Sequence, residues 1–162
     1  MRNLILISSI LVAGCSPSKN DRDRATYNGE NLVALSKEID GKADDAIEAK
    51  LTVERYFAMV ANESYDTAWK MWDNEGKAWG GDATSLAAFY QRYESFSPEI
   101  GEPSEIKTLD GRHFIHVEVK AVGKMKANKR DIALSGKMML QRNADMQNGS
   151  DWFIGGMDLR GS

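Results

Sequence analysis

Two long segments in the second half of the chain alternate between inward and outward residues, and this alternation constrains the fold most. Residues 112–122 and 132–142 both place mainly apolar side chains at every second position. A period of two is typical of β-strands that bury one face and expose the other. The sequence therefore predicts two antiparallel strands with one buried face. The residues expected to point inward are His113, Ile115, Val117, Val119, Ala121, Ile132, Leu134, Gly136, Met138 and Leu140.

Turn residues indicate two further strands. Asp110-Gly111 predicts a tight hairpin turn after a strand at 106–109. Asn148-Gly149 predicts another hairpin turn, which leads into a last strand at 152–159. Gly155-Gly156 in that strand predicts a bulge or bend. The second half of the chain is thus expected to form about four antiparallel strands.

Helical periodicity precedes the strands. Helices are predicted over residues 45–61, 63–72 and 82–93, the last one capped by Asp82 or Thr84. The apolar face of the first helix is expected to contain Ile47, Leu51, Tyr56, Phe57 and Val60. That of the second is expected to contain Tyr65, Ala68, Trp69 and Trp72.

This order of elements predicts the α+β class, with N-terminal helices packed on a curved antiparallel sheet in one domain, residues 43–162. Three helices followed by long strands resemble the cone-shaped superfamily of nuclear transport factor 2 and ketosteroid isomerase. The segment from Tyr56 to Trp69 and the closing run Trp152-Phe153-Ile154-Gly155-Gly156-Met157 carry the same resemblance. It implies a cone with space for a pocket between helices and sheet.

The start of the chain shows a different pattern. Arg2 precedes an apolar run, residues 4–13, which is shorter than the roughly 20 residues that span a bilayer. A short basic start, an apolar run and small residues are typical of a secretory signal peptide. Val12-Ala13-Gly14-Cys15 resembles the lipobox of bacterial lipoproteins. The resemblance implies cleavage after residue 14, a diacylglycerol on Cys15 and a fatty-acylated (palmitate-type) new N-terminus.

Such lipidation would make the lipid bilayer the first partner of this chain. Three acyl chains anchor a protein far more firmly than one. Residues 15–42 would then be the lipidated end and tether of a domain facing the periplasm. In lipoproteins of enterobacteria-like envelopes, an Asp directly after the cysteine often marks retention in the inner membrane, so the resemblance implies that Ser16 favours the outer membrane.

Charge and composition exclude some function classes. Residues 43–118 carry a net charge of −8 and residues 119–162 a net charge of +4. The acidic mature chain and its secreted location argue against nucleic acid as a partner. Lipidation of Cys15, the single cysteine, leaves no disulfide, and His113 and His116 are too few for a His/Cys zinc site. No cofactor or metal is expected.

The cone of the resembled family predicts a pocket with aromatic walls, which suits a small apolar ligand. The alternative is that the same aromatic side chains fill the core. The candidate lining residues are Trp69, Trp72, Tyr90, Tyr93, Ile115, Met138 and Trp152, with His113 near the mouth.

Enzymes resembling ketosteroid isomerase place a carboxylate base and a hydrogen-bond donor inside the cone. Asp158 would point inward only if the glycine bulge reversed the alternation of its strand, and Tyr90 or Tyr93 would then be the donor. No residue matches the family's catalytic positions, so no catalytic residue is predicted. His116 and Glu118 form either a weak metal or acid–base pair or part of an exposed sheet face.

Residues 120–130 contain five basic residues and no acidic one. Lys124, Lys126, Lys129 and Arg130 form a candidate basic patch for anionic headgroups, lipopolysaccharide phosphates or an acidic partner. The alternative is a solvated hairpin tip whose charges prevent edge-to-edge pairing.

Three functions fit these features. The first is a membrane-anchored, non-catalytic domain that binds an envelope protein or a small apolar ligand. The second is a periplasmic inhibitor or immunity lipoprotein, and the third is a ketosteroid isomerase-like enzyme. The polar outer face expected for the sheet favours a monomer over a homodimer.

Overall fold

The structure is a computed structural model that describes residues 41–145 and 151–161. The predictions for the signal peptide, for Cys15, for the tether up to residue 40 and for Asn148-Gly149 lie outside the described residues. No helix within the described ranges is both long and apolar enough to cross a membrane.

The chain has the predicted α+β class, with helices first and an antiparallel sheet after them. The helices are α1 (41–61), α2 (Tyr65–Lys70), a short 3-10 helix (Lys77–Trp79) and α3 (Ala83–Gln91). The strands are β1 (Tyr93–Pro103), β2 (Lys107–Leu109), β3 (Arg112–Met125), β4 (Asp131–Asn143) and β5 (Phe153–Gly161).

Helix α1 packs on the sheet with a face that differs in part from the predicted one. Ala49, Val53 and Tyr56 are fully buried, whereas Ile47 and Leu51 are 57% and 40% exposed. The expectation for Ile47 and Leu51 was wrong. Each precedes a buried residue, Ala49 or Val53, by two positions, which is a rotation of about 200° around the helix axis. Ile47 and Leu51 therefore project from the side of the helix opposite to the core. The helix also includes residues 41 and 42, which the sequence assigned to the tether.

Helix α3 begins as predicted but ends earlier. The carboxylate of Asp82 accepts a hydrogen bond of 2.8 Å from the backbone N–H of Ser85, which caps the helix. The helix ends at Gln91, and strand β1 begins at Tyr93. The predicted helical end at Tyr93 is therefore corrected.

The sheet has the order β1-β3-β4-β5, and the short strand β2 also pairs with β3. β3 and β4 pair without interruption from Arg112 opposite Asn143 to Lys124 opposite Asp131. The predicted alternation of both strands is confirmed, since the inward positions are buried or half-buried. Asp110 and Gly111 form the predicted turn, both with the positive φ angles that a tight hairpin requires.

Strand β1 is an element that the sequence did not predict. It contains Pro98 and Pro103, which cannot donate backbone hydrogen bonds. An edge strand tolerates proline because one side of its backbone needs no partner, and among the described strands β1 pairs with β3 alone.

The predicted bulge in the last strand is confirmed. Met139 pairs with Gly156 and the next residue, Leu140, pairs with Ile154, so Gly155 is the extra residue. A side chain at Gly155 would meet the Met139 methyl group at 2.9 Å. Beyond the bulge, Met157 packs against the core while Asp158 is exposed.

Candidate functional site

Aromatic side chains fill the space between the helices and the sheet. Tyr56 contacts Trp72 and Tyr90 edge-on, with ring centroids 5.9 Å and 6.4 Å apart. Tyr90 also lies edge-on to Phe96 at 5.4 Å. The predicted lining residues Trp72, Tyr90, Tyr93, Ile115, Met138 and Trp152 are all buried. All six belong to one hydrophobic core cluster. Tyr90, Tyr93 and Trp152 also line hollows at the surface.

Two tyrosine hydroxyls meet inside this aromatic interior. The Tyr56 and Tyr90 oxygens are 3.2 Å apart, and the Tyr90 hydroxyl also donates to the sulfur of Met157 at 3.9 Å. Burial raises the pKa of Tyr56 to about 12, against a smaller opposing effect of its hydrogen bond with Tyr90. Burial also raises the pKa of Tyr90, followed by the effect of Tyr56. Both hydroxyls are therefore neutral at physiological pH.

The other residues predicted to line the pocket lie elsewhere. Trp69 is half-buried, and its indole N–H donates to the Gly81 carbonyl at 2.9 Å. His113 is half-buried at the β2–β3 hairpin, where its Nδ1 lies 2.8 Å from the Thr108 hydroxyl. Trp69 and His113 thus flank the interior on different elements.

A buried ion pair holds one end of the sheet to α1. The side chain of Arg142 is only 6% exposed and pairs with Asp45. Its guanidinium lies 4.7 Å from the centre of the Trp152 ring. His113 pairs with Arg142 across the strands, so both side chains share one face. Arg142 Nε and Trp152 Nε1 are buried and have no hydrogen-bond partner among the described residues.

Carboxylates are absent from the buried side chains of the described ranges, where Thr52 and Arg142 are the buried polar residues. The inward position considered for Asp158 is wrong, because the bulge leaves it outside. There its carboxylate accepts two hydrogen bonds from Arg160, which lower the Asp158 pKa.

His116 is half-buried and Glu118 exposed on the outer sheet face. Within the described chain, no three His, Cys, Asp or Glu side chains are grouped as metal ligands.

The candidate basic patch lies at the β3–β4 turn. Lys129 pairs with Glu94 at 3.0 Å, and Lys124 pairs with Asp131 at 3.6 Å. Lys126 and Arg130 are exposed and have no ion-pair partner within residues 41–145 and 151–161. The structure thus brings all four predicted cations to one tip of the sheet.

A surface that the sequence reasoning missed surrounds Phe153, which is 39% exposed. On one side lies a groove of about 340 Å³ between α1, α2 and the start of β5. On the other lies a wider depression of about 600 Å³ beside the 3-10 helix. Both hollows are lined by Phe153 and Lys70.

The first hollow, which we call the Phe153 groove, has both apolar and polar lining residues. The apolar ones are Met59, Met71, Trp152 and Phe153, and the polar ones are Thr52, Arg55, Thr67, Lys70 and Asp151. The second hollow contains Trp69, Lys70, Asp73, Asn74, Glu75, Lys77 and Phe153. The signal that the sequence offered is alternation, since an inward Ile154 requires an outward Phe153.

Comparisons with known proteins leave the family open. No protein-family model and no curated protein matches the chain. Among solved structures, the Kfla4162 protein from Kribbella flavida is similar with a TM-score of 0.48 and 11% sequence identity. The match covers 74% of this chain and 93% of that one.

Proposed function

We propose that the chain is a lipid-anchored protein of the bacterial envelope, whose domain binds another molecule without catalysing a reaction. The lipobox-like motif ending at Cys15 supports the anchor. The order of three helices and a curved sheet supports a cone fold of the nuclear transport factor 2 and ketosteroid isomerase type. The proposal places the domain in the periplasm, on the outer membrane.

The exposed Phe153 between two hollows is the observation that carries the binding function. An aromatic side chain flanked by apolar depressions is the arrangement that protein interfaces use as an energetic centre. The packed interior, by contrast, contains two buried tyrosines whose hydroxyls are hydrogen-bonded to each other. The described buried residues there include no carboxylate. Because both hollows are open at the surface and share Phe153, a segment of an envelope protein fits them better than an enclosed small molecule.

Site-specific photocrosslinking in intact cells tests the binding function. A photoreactive residue at Thr67, an exposed residue that lines the Phe153 groove, is expected to give an adduct of defined mass. The same residue at Ser135, on the outer face of β4, is expected to give none. Phe153→Ala should remove the adduct because truncating a central aromatic costs about 2 kcal/mol of binding. Val122→Ala is the control, since Val122 is also an exposed apolar residue of the outer face.

Equal adducts at Thr67 and Ser135, or an adduct unaffected by Phe153→Ala, would contradict the proposed surface. An adduct mass of a few hundred daltons would identify a small ligand as the occupant. The anchor is tested separately with Cys15→Ser, which should move the protein from the membrane fraction to the soluble periplasm. Continued sedimentation of Cys15→Ser with membranes would refute lipidation.

A further inference from the structure

The β3–β4 turn, residues 124–130, presents its positive charges to solvent. Lys126 and Arg130 have no ion-pair partner in the described ranges, and the pairs of Lys124 and Lys129 involve exposed groups. Exposed ion pairs contribute little free energy, so these lysines can exchange partners readily. Four cationic side chains are thus available at one tip of the sheet.

The backbone of this turn is held in place by hydrogen bonds. The N–H of Met125 donates to the Arg130 carbonyl at 2.9 Å, and that of Lys129 donates to the Met125 carbonyl at 3.0 Å. A third bond of 2.9 Å, from the Lys126 N–H to the Arg92 carbonyl, connects the turn to the end of α3. A turn ordered in advance loses little further backbone entropy on binding.

Lys129 adopts a left-handed conformation with φ of +57°. Asparagine and glycine adopt this region more readily than lysine, and a lysine there carries a cost in backbone energy. The turn thus places a positively charged side chain at a position whose backbone conformation is unfavourable for lysine.

We propose that the β3–β4 turn is a docking surface for an anionic phospholipid membrane. The turn contains no aromatic residue, and its apolar residues are Met125 and Ala127. It therefore lacks the aromatic anchors of a protein interface. Dispersed cations on a rigid turn match the diffuse negative charge of a lipid surface.

Each basic residue near an anionic membrane strengthens binding about fivefold, and the effect falls off within about 8 Å at physiological salt. Four such residues hold a free domain only weakly, so docking at the membrane rests on the proposed lipid anchor. The anchor supplies proximity, and the turn then determines which part of the domain faces the lipid.

The covalent connection is long enough for this contact. Asp45 of α1 pairs with Arg142, at the end of β4 opposite the turn. The turn lies about 36 Å from that end, at roughly 3.3 Å per strand residue. The segment between Cys15 and residue 41 spans at most about 90 Å when extended. Its length therefore permits the domain to lie along the membrane.

Energy transfer in reconstituted vesicles tests the docking. Ala127→Cys introduces one free thiol, because the native cysteine is acylated, and a dye there reports transfer to labelled lipid. The lipidated full chain is compared in phosphatidylcholine vesicles and in vesicles with one third phosphatidylglycerol. Transfer should rise in the anionic vesicles and return to the neutral value at high ionic strength.

Charge reversal provides the decisive comparison. The double variant Lys126→Glu, Arg130→Glu should weaken docking roughly thirtyfold or more, since two cations are replaced by anions. Lys107→Glu, Lys137→Glu is the matched control with the same net charge and should dock like the unmodified protein. The milder Lys126→Gln, Arg130→Gln should give an intermediate value.

Equal transfer in neutral and anionic vesicles, or equal docking of both double variants, would overturn the proposal and leave an acidic protein as the partner of the turn. Failure of the proposed anchor is distinguishable, because the chain would then not float with vesicles of either composition.

Discussion

The two ends of strand β4 place arginine in opposite surroundings. Arg142 is buried at one end, paired with Asp45 and stacked near Trp152. Arg130, just before the other end, is exposed and has no ion-pair partner among the described residues. A buried charge requires a fixed partner because its desolvation is costly, whereas an exposed charge keeps its hydration. The first end therefore serves folding, and the second is available for binding.

The largest expected effect comes from breaking the buried pair. Asp45→Ala should lower the free energy of unfolding by about 3 kcal/mol, because it leaves the Arg142 charge buried without its partner. Urea denaturation of the full chain measures this change. Asp44→Ala, at an exposed neighbouring position, should change stability by less than about 0.5 kcal/mol.

Arg142→Met in the Asp45→Ala background sharpens the same comparison. An apolar side chain of similar length removes the unpaired charge, so most of the lost stability should return. If the double variant were as unstable as Asp45→Ala alone, packing around Trp152 and not charge would explain the first effect.

The buried tyrosine pair should give the next largest effect, at alkaline pH. In the unfolded chain Tyr56 ionises near pH 10, whereas in the folded protein its pKa is about 12. The buried neutral hydroxyl of Tyr56 therefore contributes its full stability below pH 10, and this contribution is lost as the pH rises from 10 to 12. Over that range Tyr56→Phe should lose less stability than the unmodified protein, by on the order of 2 kcal/mol. Urea denaturation of both proteins at several pH values between about 10 and 12 measures this difference. An equal decrease in the free energy of unfolding with pH in the two proteins would contradict the prediction.

The smallest expected effect is at the basic turn. Lys126→Glu, Arg130→Glu should change the free energy of unfolding by less than about 0.5 kcal/mol, because neither side chain has an ion pair in the described structure. Urea denaturation at low and high salt checks this expectation. A loss comparable to that of Asp45→Ala would erase the distinction between the two ends of β4.

Local patterns predicted what depends on local structure. Alternation predicted the buried faces of β3 and β4, Asp82 predicted a helix cap, and Gly155-Gly156 predicted a bulge. Strand β1 escaped because its prolines are compatible with a strand only at a sheet edge, and edge position depends on the neighbouring strands.

The candidate surfaces were less predictable than the fold. The four cations of the basic turn were identified because they are close in sequence. The Phe153 groove was missed because α1, α2 and β5 contribute to it from distant parts of the chain. Burial of Arg142 was missed for the same reason, since its partner Asp45 lies 97 positions earlier.

The order in which contacts become possible during synthesis follows from the position of strand β5. Ile154 accepts a backbone hydrogen bond from Asp73 and donates one to Met71, and it pairs with Leu140 on its other side. The loop after α2 thus takes its final place only when strand β5 is present. Because a chain is synthesised from its N-terminus onward, the helices cannot complete their packing before strand β5 has been made. Closure of the domain is therefore expected to be a late step of folding, which follows the synthesis of residues 153–161.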